Sequence, residues 1–134
     1  MPQCIVIIED DGPITTLIAH ALADAGYQPL VSVTHDTIAL LAEDVRPDLF
    51  IVNLIRDGDY ISMRTLSVLR ARAATAALPV ILCSGDTTFL HMQRAVLAQR
   101  NCLTLTKPFL LHDLLDVVHA ALASSPEALC ARTV

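Results

Sequence analysis

The sequence predicts a doubly wound α/β domain built on a five-stranded parallel sheet. Short apolar runs rich in β-branched residues alternate with segments of helical periodicity, the connections between them are short, and the length suits one core. A chain of 134 residues buries roughly two thirds of the surface its unfolded form exposes. Hydrophobic residues make up 54% but aromatics only 4%, so Ala, Leu, Val and Ile must fill the core. That composition suits parallel strands covered on both faces.

Cys4 to Ile8 is the first apolar run, and Glu9, Asp10 and Asp11 end it: a buried strand entering a charged loop. Beyond Gly12-Pro13, the residues Ile14, Leu17, Ile18, Ala21, Leu22 and Ala25 recur at the spacing of one helix face. Pro13 suits the first helical position and Gly26 the C-terminal cap. A weaker strand, Pro29 to Val33, leads to a helix over about Asp36 to Asp44 and then to Pro47. Leu49 to Leu54 is the second strong strand, with Asn53 near its end and turn chemistry in Arg56-Asp57-Gly58-Asp59. A helix carrying Met63, Leu66 and Leu69 or Arg70 on successive turns follows. Pro79 opens the strand Val80 to Cys83, which Ser84-Gly85-Asp86 breaks. A helix over about Thr87 to Gln99 precedes the strand Cys102 to Thr106, which Lys107-Pro108 ends. Leu111, Leu114, Leu115, Val118 and Leu122 line a last helix. Five strands alternating with five helices make a flavodoxin-like (βα)5 order. The expected organisation is one domain over 1–123 and a short tail over 124–134, with no second domain, linker or repeat.

A net charge of −5, a pI near 5.3 and a single lysine, Lys107, give no basic footprint for nucleic acid. Arg, Asp, Glu or Pro interrupts every hydrophobic stretch before it reaches the ~18 residues a membrane span needs. Met1-Pro2-Gln3-Cys4 lacks the basic start of a signal peptide, so a cytoplasmic protein is expected. Cys4, Cys83, Cys102 and Cys130 form no C-x-x-C pair and read as reduced, mostly core thiols. His20, His35, His91, His112 and His119 have no ligand-like spacing and read as solvated or half-packed side chains.

In doubly wound sheets, ligands bind outside the carboxyl ends of the strands where the strand order reverses. That directs attention to Glu9-Asp10, Asn53, Ser84 and Lys107. Singly, these read equally well as a helix-capping cluster, a turn and a solvated charge. Together at one edge they suit a phosphate and a magnesium ion: carboxylates and a carbonyl for the metal, a hydroxyl and an ammonium for phosphoryl oxygens.

From Cys4 to Leu122 the chain resembles a response-regulator receiver domain. Ile8-Glu9-Asp10-Asp11 is similar to that family's acidic metal-binding pair, with Glu9 and Asp10 in the two metal positions. The segment Arg46 to Leu54 resembles the one that ends in the phosphorylated aspartate, and Asn53 occupies that place. Ile55 matches the position whose backbone carbonyl completes the metal site. Pro79 to Gly85 resembles the strand carrying the switch hydroxyl, at Ser84, and Leu105 to Phe109 the lysine-proline signature, which gives Lys107 the phosphate-sensing role.

The departures bear on function. A receiver accepts phosphate because a carboxylate attacks phosphorus. An amide is a far poorer nucleophile, and Asn53 also removes a negative charge from the metal site, so any magnesium is expected to be held weakly, with Asn53 itself a conceivable ligand. Thr104 stands where the family has an aromatic that moves with phosphorylation, Arg56 to Tyr60 lacks the expected proline, and Arg100 replaces a glycine before the last strand. An Asp-to-Asn change in an ordinary phosphorylatable receiver accounts for Asn53 alone. Natural divergence to a pseudo-receiver accounts for all four departures and is favoured.

The resemblance implies a stand-alone, non-enzymatic signalling module of a two-component phosphorelay that acts through protein contacts. The expected partner is a sensor kinase, an output protein or a second copy. The expected surface is the helix over 87–99, the strand over 102–106 and the helix after it, presenting His91, Arg94, Thr104 and Asp113, which read nearly as well as ordinary solvated surface. Residual phosphotransfer onto Asp10 or Glu9 is an alternative. A phosphoaspartate-type hydrolase is weaker, because the D-x-D arrangement and a cap domain are missing, and a dinucleotide enzyme lacks G-x-G-x-x-G.

Overall fold

Continuous apolar runs make strands when helices cover both of their faces, and the alternation of side chains then divides each run between two cores. A computed structural model of the chain describes residues 2–9, 12–32, 46–53, 58–73, 75–99 and 101–123. The strands are β1 (Cys4–Glu9), β2 (Gln28–Ser32), β3 (Leu49–Asn53), β4 (Val80–Ser84) and β5 (Cys102–Thr106). They form one parallel sheet in the order β2-β1-β3-β4-β5. The described helices are α1 (Gly12–Asp24), α2 (Gly58–Ala71), α3 (Thr87–Gln99) and α4 (Leu111–Ala123). The helix expected over Asp36 to Asp44 lies outside the described residues, as do Asp10, Ile55, Cys130 and the tail over 124–134.

One core joins Val6, Ile8, Phe50, Val52, Val80, Leu82 and Cys102 to Leu66 and Leu69 of α2 and Leu90 and Leu97 of α3. The alternate residues Ile5, Ile7, Leu49, Ile51, Ile81 and Cys83 pack with Ile18 and Leu22 of α1 and Leu114, Val118 and Ala121 of α4. Among the described residues, α2 and α3 lie against one face and α1 and α4 against the other, as the doubly wound reading requires.

The ends of α1 follow local chemistry. Pro13 lies in its first turn, where an amide hydrogen has no helical partner to lose. Gly26, at a φ of 96°, closes the helix: its N–H donates to the Ala23 carbonyl and the Tyr27 N–H to the Leu22 carbonyl, the paired bonds of a Schellman cap.

Three expectations need correction. Ile14 and Leu17 are exposed, and Thr15 instead joins Ile18 and Leu22 on the buried face of α1. The apolar arc is wider than the strip the sheet covers, so one flank is left to solvent. Leu111 is likewise exposed while Ala121 is buried, which rotates the seated face of α4 the same way. Ser84 does not break β4 but is its last residue, buried and paired in register with Thr106.

Polar groups secure the amino-terminal edge of the sheet. The Cys4 N–H donates to Asp48 Oδ2 at 2.8 Å, and the Asp48 N–H returns a bond to the Cys4 carbonyl. Burial first, and then the Asp48 carboxylate, push the Cys4 thiol above its ordinary value, which suits an unreactive packed cysteine. Cys4, Cys83 and Cys102 are all free thiols.

At the same edge, Arg70 of α2 donates from Nη1 to the Thr75 carbonyl at 3.0 Å and from Nη2 to the Asn101 carbonyl at 3.2 Å. Asn101 adopts a φ of 57°. Asn101, before β5, thus takes the left-handed conformation, which asparagine is among the few residues to adopt readily.

Candidate functional site

Parallel register brings the carboxyl ends of four strands level with one another. Glu9 of β1 pairs with Asn53 of β3, Asn53 pairs with Cys83 of β4, and Ser84, one residue on, pairs with Thr106 of β5. Lys107 follows at once, and its N–H extends the ladder by donating to the Ser84 carbonyl at 2.8 Å. Glu9, Asn53, Ser84 and Lys107 therefore stand at one edge of the sheet, as the sequence predicts; Asp10 and Ile55 lie outside the described residues.

Ser84 is buried, and its Oγ accepts a hydrogen bond from the Asp86 N–H at 3.1 Å. Asp86 in turn caps α3: its Oδ1 accepts from the Phe89 N–H at 2.9 Å and its carbonyl from the Leu90 N–H at 3.0 Å. The hydroxyl at the strand edge and the first turn of α3 are thus linked through one residue. Sequence reasoning takes Ser84-Gly85-Asp86 for a turn and misses that link; an aspartate three residues before Phe89 is the signal that could have found it. A Cβ at Gly85 would lie 3.9 Å from the Cβ of Lys107, an ordinary contact, so the lysine stem passes close beside the loop. Lys107 is half-buried and joins Pro108 through a cis peptide bond.

Thr104 pairs with Leu82 and is half-buried. By strand alternation it shares the sheet face of Leu82, Ser84 and Thr106, the face that α3 covers. On the surface expected for partners, His91 and Arg94 of α3 are exposed. Asp113 instead serves its own helix, with Oδ2 accepting from the Leu110 N–H at 3.4 Å and Oδ1 lying 3.2 Å from His112 Nε2.

Oxygen donors at this edge fit a hard divalent cation in kind, since magnesium takes one or two carboxylates and keeps several waters. Glu9 and Asn53 are adjacent by register, but the pair brings one carboxylate and one neutral amide. Among the described residues no group of three His, Cys, Asp or Glu side chains could hold a metal. Nor is any helix among them long and apolar enough to cross a membrane.

No family model matches the chain. A search of curated proteins finds the phosphate regulon transcriptional regulatory protein PhoB of Klebsiella pneumoniae, 24% identical over 85 residues that make up 63% of this chain. The match spans 37% of that relative's length. Among solved structures, the chemotaxis protein CheY4 of Vibrio cholerae superposes with a TM-score of 0.74 at 20% identity, over 90% of this chain and 99% of that one. The receiver domain of a sensor histidine kinase from Pseudomonas aeruginosa, with a magnesium ion in its active-site cleft, superposes with a TM-score of 0.70 at 23% identity, over 92% of this chain and all of that one. On this likeness and the strand order together, the chain has the receiver fold.

Proposed function

We propose that the chain is a receiver-like signalling module of the two-component type that works by contact with another protein and does not itself accept phosphate. One observation carries the reading: Glu9, Asn53, Ser84 and Lys107 fall at a single sheet edge. Glu9 and Asp10 are the carboxylates that would hold magnesium, with the Ile55 carbonyl and the Asn53 amide as neutral donors. The ion would offset the charge of a phosphoryl group there. The Ser84 hydroxyl and the Lys107 ammonium would meet phosphoryl oxygens. Asn53 supplies no carboxylate nucleophile, so the acyl-phosphate step has no starting group. On this reading the module is not an enzyme. Its partner is a sensor kinase, an output protein or a second copy, engaged through α3, β5 and α4.

Treatment with a small acyl-phosphate donor and magnesium, followed by intact-mass measurement, tests the proposal. The chain as it stands is expected to gain no phosphate, and Asn53→Asp to gain one. Calorimetric titration is expected to show tighter magnesium binding in Asn53→Asp. Phosphate on the unaltered chain, mapped to Glu9 or Asp10, would establish residual phosphotransfer instead. No phosphate on either protein would reduce the reading to a shared fold.

A further inference from the structure

Among the described residues, the exposed large apolar side chains gather on two opposite sides of the molecule. Ile14, Leu17, Leu110 and Leu111 lie on or just before α1 and α4, whereas Val68, Met92 and Val96 lie on α2 and α3. Val31, on the edge strand β2, belongs to neither group. The two pairs of helices cover opposite faces of the sheet. Exposed apolar side chains are ordinary when scattered singly, so the charges around these carry the argument.

Helices α1 and α4 contain Asp24, Asp113 and Asp116 and neither lysine nor arginine. Asp113 serves its own helix, which leaves Asp24 and Asp116 as the exposed carboxylates. Helices α2 and α3 contain Arg64, Arg70 and Arg94 against one acidic residue, Asp59. Arg70 is turned to backbone carbonyls, which leaves Arg64 and Arg94 as the exposed cations. One side thus offers leucine and isoleucine among carboxylates, and the other valine and methionine among guanidinium groups.

We infer that copies of this chain dock head to tail, the α1 and α4 side of one on the α2 and α3 side of the next. Like charges set each side against its own kind, so opposite sides meet and a symmetric pairing of either side with itself is disfavoured. The net charge of −5 repels copies at a distance. At physiological salt that repulsion is largely screened beyond ~8 Å, and the facing charges decide the contact. Because the two sides lie on opposite faces of the sheet, each junction leaves one side of each kind free, and a third copy can add. The inference does not rest on the proposed function, since it uses neither the strand-edge group nor the surface of β5.

Sedimentation equilibrium of the full chain over a wide range of concentration tests it. The average mass is expected to rise with concentration and to pass that of a dimer. Leu17→Arg spoils the acidic side and Val68→Glu the basic one, each at an exposed position and each by replacing an apolar contact with a like charge. Alone, either variant is expected to associate at least roughly tenfold more weakly. Mixed in equal amounts, each variant keeps the side that the other lacks. The mixture is therefore expected to form one-to-one pairs and grow no further, and that pairing also shows that both variants fold. Val31→Glu, at the sheet edge, is expected to change nothing. A chain that stays monomeric at every concentration, a mixture that fails to pair or grows beyond the pair, or loss of association in Val31→Glu would overturn the inference.

Discussion

Asn101 combines two features that rarely coincide, a left-handed backbone and a buried amide side chain. The Nδ2 donates to Ala77, whereas Oδ1 has no hydrogen-bond partner among the described residues. A buried acceptor left unmatched costs stability, so the residue is held in place by its backbone conformation and the bonds to its carbonyl more than by its side chain. Asn101→Ala loses the Ala77 bond and forces a Cβ residue without a local polar group into the left-handed region. It is expected to cost about 1–3 kcal/mol. Asn101→Gly keeps the backbone without strain and removes the unmatched oxygen, so its cost is expected to be at most about 1 kcal/mol. Urea unfolding midpoints at constant slope would distinguish the two. Nothing in the sequence around position 101 announces this role, because Arg70 reaches it from 31 residues away. Gly26 is different: a glycine directly after a periodic helix declares its cap locally, and the structure places it there.

Helix α3 has a side-chain cap at its first turn. Asp86 is exposed, and its carboxylate satisfies the Phe89 N–H at the positive end of the helix. Asp86→Ala is expected to lower stability by about 1 kcal/mol, and Asp86→Asn to be nearly neutral, as measured by thermal and urea unfolding. The strands are legible in the sequence because β-branched runs such as Cys4 to Ile8 and Leu49 to Asn53 are bounded by charged or turn residues. The helices are legible as periods, but not in their orientation. Ile14, Leu17, Ile18 and Leu22 all fit one apolar arc, and only the position of the sheet decides that Leu17 faces solvent while Ile18 does not. The candidate site is legible for the same reason as the strands. Glu9, Asn53, Ser84 and Lys107 are placed by the ends of four runs, whereas the bond from Asp86 to Ser84 depends on backbone direction within a turn.

At the scale of the whole molecule, the sheet separates two cores that share no side chain among the described residues. Among the described residues Phe50 is the largest fully buried side chain, and it sits in the core beneath α2 and α3. Phe50→Ala is expected to cost about 3–5 kcal/mol. Leu17→Ala, a truncation on an exposed flank, is expected to stay within about 0.5 kcal/mol, and urea unfolding of both variants checks the contrast. The strand order also sets a sequence of events. Parallel neighbours are joined by crossovers, so each pairing waits for a distant segment and the sheet assembles more slowly than local structure. When a chain emerges from synthesis amino end first, β1 and β2 can meet early, but the other edge of β1 stays open until β3 arrives. Strand β4 then brings Ser84, and β5 comes last with Lys107 behind it. The basic member of the strand-edge group is the final one laid down, so a nascent or truncated chain lacking β5 would present the acidic side of the site without its counter-charge and could not pass for the finished domain.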